Sequence, residues 1–319
     1  MIKINFFGTH EFAKTILEAL IKDSNFEVGT VFTMPDRPVG RKQVLQPSSV
    51  KLLAEEHGFK IEQPTSLKEY AIPSASVSLN IVCDYGIIVP KNILDNPKYG
   101  SINIHPSLLP LYRGATPLQS ALVNGEKKTG ITIMLMDEKM DHGPILAQKE
   151  YKIDVDDTYL ELRNKLALEA QNLTILTCLD WVNGKIKPTT QDDSEATFCK
   201  EFNRVDGKID WNKNAEDLYN QYRGMTPWPG VFTFLNGKRL KLIKLSLPKK
   251  ILNQVQSLPS TRLGDDKVGQ IKIKEQKVFV YCGDVKLIEI LELQLEGKKP
   301  LDAKTFLNGN KDFKNETLG

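Results

Sequence analysis

Residues 2–7 (Ile-Lys-Ile-Asn-Phe-Phe) form a short apolar run closed by Gly8-Thr9, a pattern that predicts a buried strand. Phe12, Ile16, Leu17, Leu20 and Ile21 then recur at helical spacing, and Val28–Thr33 returns to a strand pattern. This β-α-β opening predicts a parallel, doubly wound sheet of the α/β class. Further strands are expected near Lys60–Glu62 and over Val77–Cys83, Ser101–His105, Gly130–Met136 and Ile145–Ile153. Short helices are expected over Val50–His57, capped by Ser48 or Ser49, and over Thr116–Asn124. A long amphipathic helix over Asp157–Val182 closes the first domain, 1–187. The polar run that follows, with Pro188, Thr189, Thr190, Asp192 and Asp193, reads as a linker over 188–204. Beyond it, Ala215–Arg223 predicts a helix ending at Gly224, followed by Thr226-Pro-Trp-Pro-Gly230. Short strands over Gly230–Phe234, Leu240–Leu247, Gly269–Ile273, Lys277–Cys282 and Asp284–Leu293 suggest a small OB-like β-barrel in residues 205–319.

A chain of 319 residues suits two domains, and 40% hydrophobic with 26% charged residues is ordinary for a soluble globular protein. No basic-then-apolar leader and no apolar run near 18 residues is visible, so a cytoplasmic protein without a membrane segment is expected. Cys83, Cys178, Cys199 and Cys282 share no short spacing, and His10, His57, His105 and His142 lack metal-ligand spacing. Neither a disulfide framework nor a metal is therefore expected. The net charge of +3 is uneven: 20 Lys+Arg face 14 Asp+Glu from Val205 onward (+6), leaving 23 against 26 (−3) before it. A basic C-terminal part suggests contact with a polyanion, although a solvated lysine surface reads the same way.

Candidate chemistry gathers in Ser101-Ile-Asn-Ile-His-Pro-Ser-Leu-Leu-Pro-Leu-Tyr-Arg-Gly114. The strand period of two points Asn103 and His105 the same way, and Pro106 then ends the ladder beside an irregular loop. A lone histidine at a strand end is ordinarily satisfied by backbone; an asparagine on the same face makes a reaction site the sharper reading. Asp84-Tyr-Gly-Ile-Ile-Val-Pro90 is a loop carrying apolar residues, which either line a slot for a flat heterocycle or cover the core. Asp141, before His142-Gly143-Pro144, is a second polar focus at the sheet's edge, though aspartate also serves simply as a turn residue. Residues 34–47 hold three prolines, Gly40, Arg37, Arg41 and Lys42, so an irregular basic loop is expected where open α/β sheets bind ligands. Gly8 stands without the G-x-G-x-x-G pattern, which disfavours a dinucleotide.

Taken in order, these blocks resemble the methionyl-tRNA formyltransferase family nearly end to end. They are Phe7-Gly8-Thr9…Phe12, Pro35-Asp-Arg-Pro-Val-Gly-Arg41, Asp84–Pro90, Ser107-Leu-Leu-Pro110, Asp141 and Arg223…Pro227-Trp-Pro-Gly230. The resemblance implies catalytic roles for Asn103, His105 and Asp141. It implies contacts to 10-formyltetrahydrofolate, the formyl donor, from Asp84, Tyr85, Gly86, Ile87, Ile88, Val89, Ser107, Leu108, Leu109 and Pro110. It further implies contacts of Arg37, Arg41 and Lys42 with the acceptor stem of initiator methionyl-tRNA, tRNA binding by the C-terminal domain, no metal, and a monomer. Two positions depart from the family pattern: Asp84, where a small residue is usual, and His142, which either perturbs Asp141 or points to solvent. Glycinamide ribonucleotide, sugar-nucleotide and hydrolytic relatives share the Asn-His-Asp set, so the basic loop and C-terminal domain decide for tRNA as acceptor. A non-catalytic RNA-binding protein is the reading from another class, and the intact Asn103, His105 and Asp141 argue against it.

Overall fold

The computed structural model describes residues 1–40, 43–70, 77–247 and 268–319; Arg41 and Lys42 lie outside the described residues. The first sheet is organised around β1 (Ile2–Gly8), whose Ile4, Phe6 and Phe7 are fully buried, as expected of a strand with neighbours on both edges. Helix α1 (Glu11–Lys22) turns Phe12, Ala13, Ile16, Leu17 and Leu20 inward at helical spacing. β2 (Phe26–Phe32) runs parallel to β1.

The irregular loop expected over residues 34–47 is in part a hairpin, with β3 (Arg37–Val39) antiparallel to β4 (Val44–Gln46). Pro38 is tolerated because a two-stranded ribbon consists only of edges. The base of the hairpin is anchored by helix α2 (Ser49–Glu56), whose Lys51 Nζ donates to both oxygens of Asp36 at 2.9 and 2.8 Å. Gln63 Nε2 adds bonds of 2.9 Å to Asp36 and to the Met34 carbonyl, and the Lys51 and Gln63 bonds lower the Asp36 pKa. Ser48 caps α2, accepting from Lys51 N at 3.0 Å.

β5 (Lys60–Glu62), β6 (Leu79–Cys83), α3 (Lys91–Leu94), β7 (Ser101–His105), β8 (Arg113–Gly114), α4 (Pro117–Val123), β9 (Lys128–Leu135) and β10 (Ile145–Lys152) follow. The sheet order is β10-β9-β7-β6-β1-β2-β5, parallel from β5 to β7 and antiparallel across β7-β9-β10. Strand order reverses between β1 and β6, the switch point at which open α/β sheets present ligand crevices. The register, Gly8 opposite Cys83 and Val82 opposite Asn103, brings the ends of β1, β6 and β7 level at one edge. Helix α5 (Tyr159–Val182) is tied to this unit by Gln171 on the Thr15 carbonyl and Trp181 on the Tyr99 carbonyl. Among the described residues, no helix is long and apolar enough to cross a membrane.

The chain divides into two compact units, one of Met1–Pro117, Lys128–Ile153 and Glu161–Lys200, the other of Leu118–Lys127, Asp154–Leu160 and Glu201–Gly319. Much of the segment expected as a linker thus lies in the first unit: Thr189 bridges Ile145, and β11 (Phe198–Cys199) pairs in parallel with β8.

In the second unit, α6 (Ala215–Met225) continues through Gly224 and places Leu218, Tyr219, Tyr222 and Met225 in a core with Leu240, Leu242, Val280 and Ile290. The strands are β12 (Val231–Leu235), β13 (Lys238–Ser246), β14 (Ile271–Lys274), β15 (Lys277–Tyr281), β16 (Leu287–Leu295) and β17 (Leu301–Asp302), followed by helix α7 (Ala303–Gly309). They form an antiparallel sheet in the order β12-β13-β16-β15-β14, with β17 on β16. The closed OB-like barrel expected here is not seen: among the described residues no ladder joins β12 to β14. Their outer backbone groups are taken by other chain segments. Residues 207–209 and Gly319 bond to β12, while Glu316, Thr317 and Leu318 bond beside β14. Leu318, between those bonds, is 2% exposed and belongs to the core. Leu318→Ala is expected to destabilise this unit by about 2–5 kcal/mol, the usual cost of a leucine-sized cavity. Urea unfolding of the full chain checks this; a change within 0.5 kcal/mol, roughly that of a neutral surface substitution, would show that the tail does not close the sheet.

Candidate active site

Asn103 and His105 both reach the same carboxylate, as their shared strand face requires. Asn103 Nδ2 donates to Asp141 Oδ1 at 3.2 Å, and His105 Nδ1 lies 3.7 Å from that oxygen. The side chains of His105 and Asp141 are 5% and 13% exposed, so their interaction is poorly screened by water. His105 Nε2 is 2.9 Å from the Tyr112 carbonyl. A carbonyl only accepts, so Nε2 must carry the proton, and Nδ1 is the nitrogen left to act toward Asp141.

The loop that carries Asp141 does not start at the sheet edge where β7 ends. Because β9 is antiparallel to β7, the loop after β9 leaves at the opposite edge and folds back over the strand. Close backbone packing makes that return possible: a Cβ on Gly143 would stand 1.8 Å from the Leu135 carbonyl oxygen. Asp141 has φ of 50°, which a non-glycine residue keeps only when its surroundings hold it. Its Oδ2 accepts from Gly114 N at 2.8 Å. Gly114 has φ of 120°, and a Cβ there would meet the Cys199 carbonyl oxygen at 2.1 Å, so glycine is needed for β8 and β11 to lie together.

Sequence reasoning missed several supporting residues. Thr132, opposite His105 on β9, bonds the Ser107 carbonyl at 2.7 Å and accepts from Leu109 N at 3.1 Å. Gln148 Nε2 reaches the Leu109 carbonyl at 2.7 Å and Thr132 Oγ1 at 2.9 Å. Gln191 Nε2 donates to the Asp141 and Gly143 carbonyls at 2.9 and 2.8 Å. His142 neither faces the Asp141 carboxylate nor projects freely: its Nδ1 is 2.6 Å from Asp137 Oδ2 and its Nε2 3.3 Å from Asp193 Oδ2.

The loops after β6 and β7 leave side by side at the switch-point edge. In the first, Tyr85 and Val89 pack into a cluster with Phe7, Phe32 and Ile93, Ile87 lies against it, and Ile88 is 86% exposed. Gly86 takes φ of 85° beside Met34. Tyr85 stands edge-on to Phe7, and its buried hydroxyl has no hydrogen-bond partner among the described residues. Burial raises its pKa. Asp84 pairs with His10 at 3.0 Å across β6 and β1, and this bond raises the His10 pKa above 6.5. In the second loop Ser107 and Leu109 are buried, Leu108 and Pro110 half-buried, and Ser107 Oγ donates to the Leu111 carbonyl at 2.7 Å. Arg37 is exposed on the hairpin.

The arrangement offers amide donors, an imidazole and a carboxylate around one point, the groups that an acyl transfer through a tetrahedral intermediate requires. Residues 2–177 match the formyl transferase family, and residues 202–311 match the formyl transferase C-terminal domain. The fold is similar to WlaRD, a sugar 3N-formyl transferase solved in the presence of dTDP and 5-N-formyl-THF (TM-score 0.65, 21% identity, 94% of this chain and 99% of that one). It is also similar to HypX from Aquifex aeolicus in complex with tetrahydrofolic acid (TM-score 0.63, 15% identity, 98% of this chain and 47% of that one). The methionyl-tRNA formyltransferase of Bacillus velezensis is 38% identical over 323 residues, covering 100% of this chain and 98% of that protein. That of Halalkalibacterium halodurans is 40% identical over 315 residues, covering 97% and 95%. With identity at this level over nearly the whole of both chains, this protein belongs to the methionyl-tRNA formyltransferase family.

Proposed function

We propose that this enzyme transfers the formyl group of 10-formyltetrahydrofolate to the α-amino group of methionyl-initiator tRNA, giving N-formylmethionyl-tRNA for translation initiation. The observation that carries the proposal is the convergence of Asn103 and His105 on Asp141 in a chain of this family. The amine attacks the formyl carbon and the carbonyl oxygen gains negative charge. A carbon does not fit between Nδ1 and Oδ1 at 3.7 Å, so the reacting group stands beside the cluster rather than inside it. Asn103 retains a second amide N–H for the oxyanion after donating one to Asp141. His105 donates from Nδ1 when protonated, and Asp141, 3.7 Å from that nitrogen, takes part in moving the ammonium proton. Departure of the tetrahydrofolate N10 completes the transfer, with no covalent enzyme intermediate.

The donor assignment is supported by the folates named with WlaRD and HypX and by the paired loops Asp84–Val89 and Ser107–Pro110. For the acceptor, Arg37 with Arg41 and Lys42 would meet acceptor-stem phosphates. Residues 205–319 would supply further contacts, and their net charge of +6 supports this. We further propose that the enzyme acts as a monomer, in the cytoplasm where its tRNA acceptor is used.

The test is incubation with 10-formyltetrahydrofolate and charged initiator tRNA, uncharged tRNA or water alone. Formyl appearing only on methionyl-tRNA is expected; release as formate at the same rate in water would contradict the proposal. Asn103→Ala should lower kcat by about 100- to 1000-fold, the usual cost of an oxyanion donor, and a loss under threefold would remove it from that role. Arg37→Ala should weaken tRNA use, reduce the salt slope of tRNA binding by about one, and leave folate binding intact. An unchanged salt slope would place Arg37 off the phosphate path.

A further inference from the structure

Gln191 lies in a polar run that composition reads as solvated, yet it is 8% exposed, and both ends of its amide are committed. Its Oε1 accepts from Arg113 Nε at 3.1 Å and Nη2 at 2.8 Å. With the oxygen held by the guanidinium, Nε2 must face the other way, where it donates to the Asp141 and Gly143 carbonyls at 2.9 and 2.8 Å. The amide orientation is therefore set by a charge rather than by chance. Arg113 is itself 3% exposed, and its charge is met by Asp193 Oδ1 at 2.8 Å. Asp193 Oδ2 lies 3.3 Å from His142, which reaches Asp137 at 2.6 Å. Residues 141, 142 and 143 are thus pinned from one side by residues 191 and 193, and His142 carries the link on to Asp137.

We infer that Gln191, oriented by Arg113, is a positioning residue that latches the backbone around Asp141 and so sets the carboxylate's place beside His105. The inference rests on the formyl-transfer reading given above. Gln191 touches no reacting atom in this scheme; it acts through the Asp141 loop. Asp141 depends on such support because its own backbone, at φ of 50°, is held in a region it does not favour alone.

Gln191→Glu separates the two sides of the latch. It keeps a partner for Arg113 but turns an acceptor toward two carbonyl oxygens, which repel it. Arg113→Lys keeps the charge and loses the fork that orients the amide. For Gln191→Glu the expected result is a fall in kcat of about 10- to 100-fold, as for small misplacements of a reacting group, with KM for folate donor and methionyl-tRNA within twofold. Hydrogen exchange of the amides over 137–143 should quicken at least about tenfold, the sign of a loop released from its native hydrogen bonds. Arg113→Lys should move both readouts the same way, and it carries the test should Gln191→Glu fail to fold. A change in either readout without the other, a rise in KM at constant kcat, or no change in both would overturn the inference. Failure of the parent chain to formylate tRNA would instead count against the reaction, while the exchange comparison still judges the latch.

Discussion

A histidine that must give one nitrogen to a backbone carbonyl has only the other with which to work. The bond from His105 Nε2–H to the Tyr112 carbonyl, 2.9 Å, is therefore the constraint on which the site depends. It directs Nδ1 at Asp141, and Asp141 in turn collects Asn103 Nδ2 and Gly114 N. The Tyr112 carbonyl is available because the chain after Pro106 curls back, with Tyr112 at φ of 61° and its N–H on Thr197 Oγ1 at 2.8 Å. Thr197, just before strand β11 and beyond the long helix, thus helps hold the turn that presents the Tyr112 carbonyl.

The electrostatic logic follows from burial. A carboxylate 3.7 Å from a nearly enclosed imidazole is felt far more strongly than the same pair on a surface. Amide donors already ordered around the reaction point cost no reorganisation when charge develops there. The neighbouring loops are mainly apolar, with Tyr85, Ile87 and Val89 in one and Leu108 and Leu109 in the other, and Asp84 in the first is paired with His10.

Where local pattern decided the outcome, the sequence was readable. β1, α1 and β7 follow directly from period and apolar content, and the shared face of Asn103 and His105 follows from β7 alone. Asp141 could be suspected but not placed, because its approach depends on the antiparallel β7–β9 register and on a backbone contact that only Gly143 permits. Gln191 and Arg113 were invisible for a different reason: a polar residue announces solvent unless its partners are known, and these are up to 80 positions apart. The β3–β4 hairpin was hidden by its prolines. The strands of the second unit were legible one by one, but the way the sheet ends was not, because edge pairing is decided by Gly207–Ile209 and Glu316–Gly319, segments too short to carry a periodic signal.

The protonation of His105 is the most direct measure of the central claim. Long-range ¹⁵N–¹H NMR of the full chain, with the resonances assigned by comparison with His105→Gln, reports which ring nitrogen holds the proton in the neutral imidazole. The account requires the proton on Nε2 and a bare Nδ1. A neutral ring protonated on Nδ1, with Nε2 free, would contradict it.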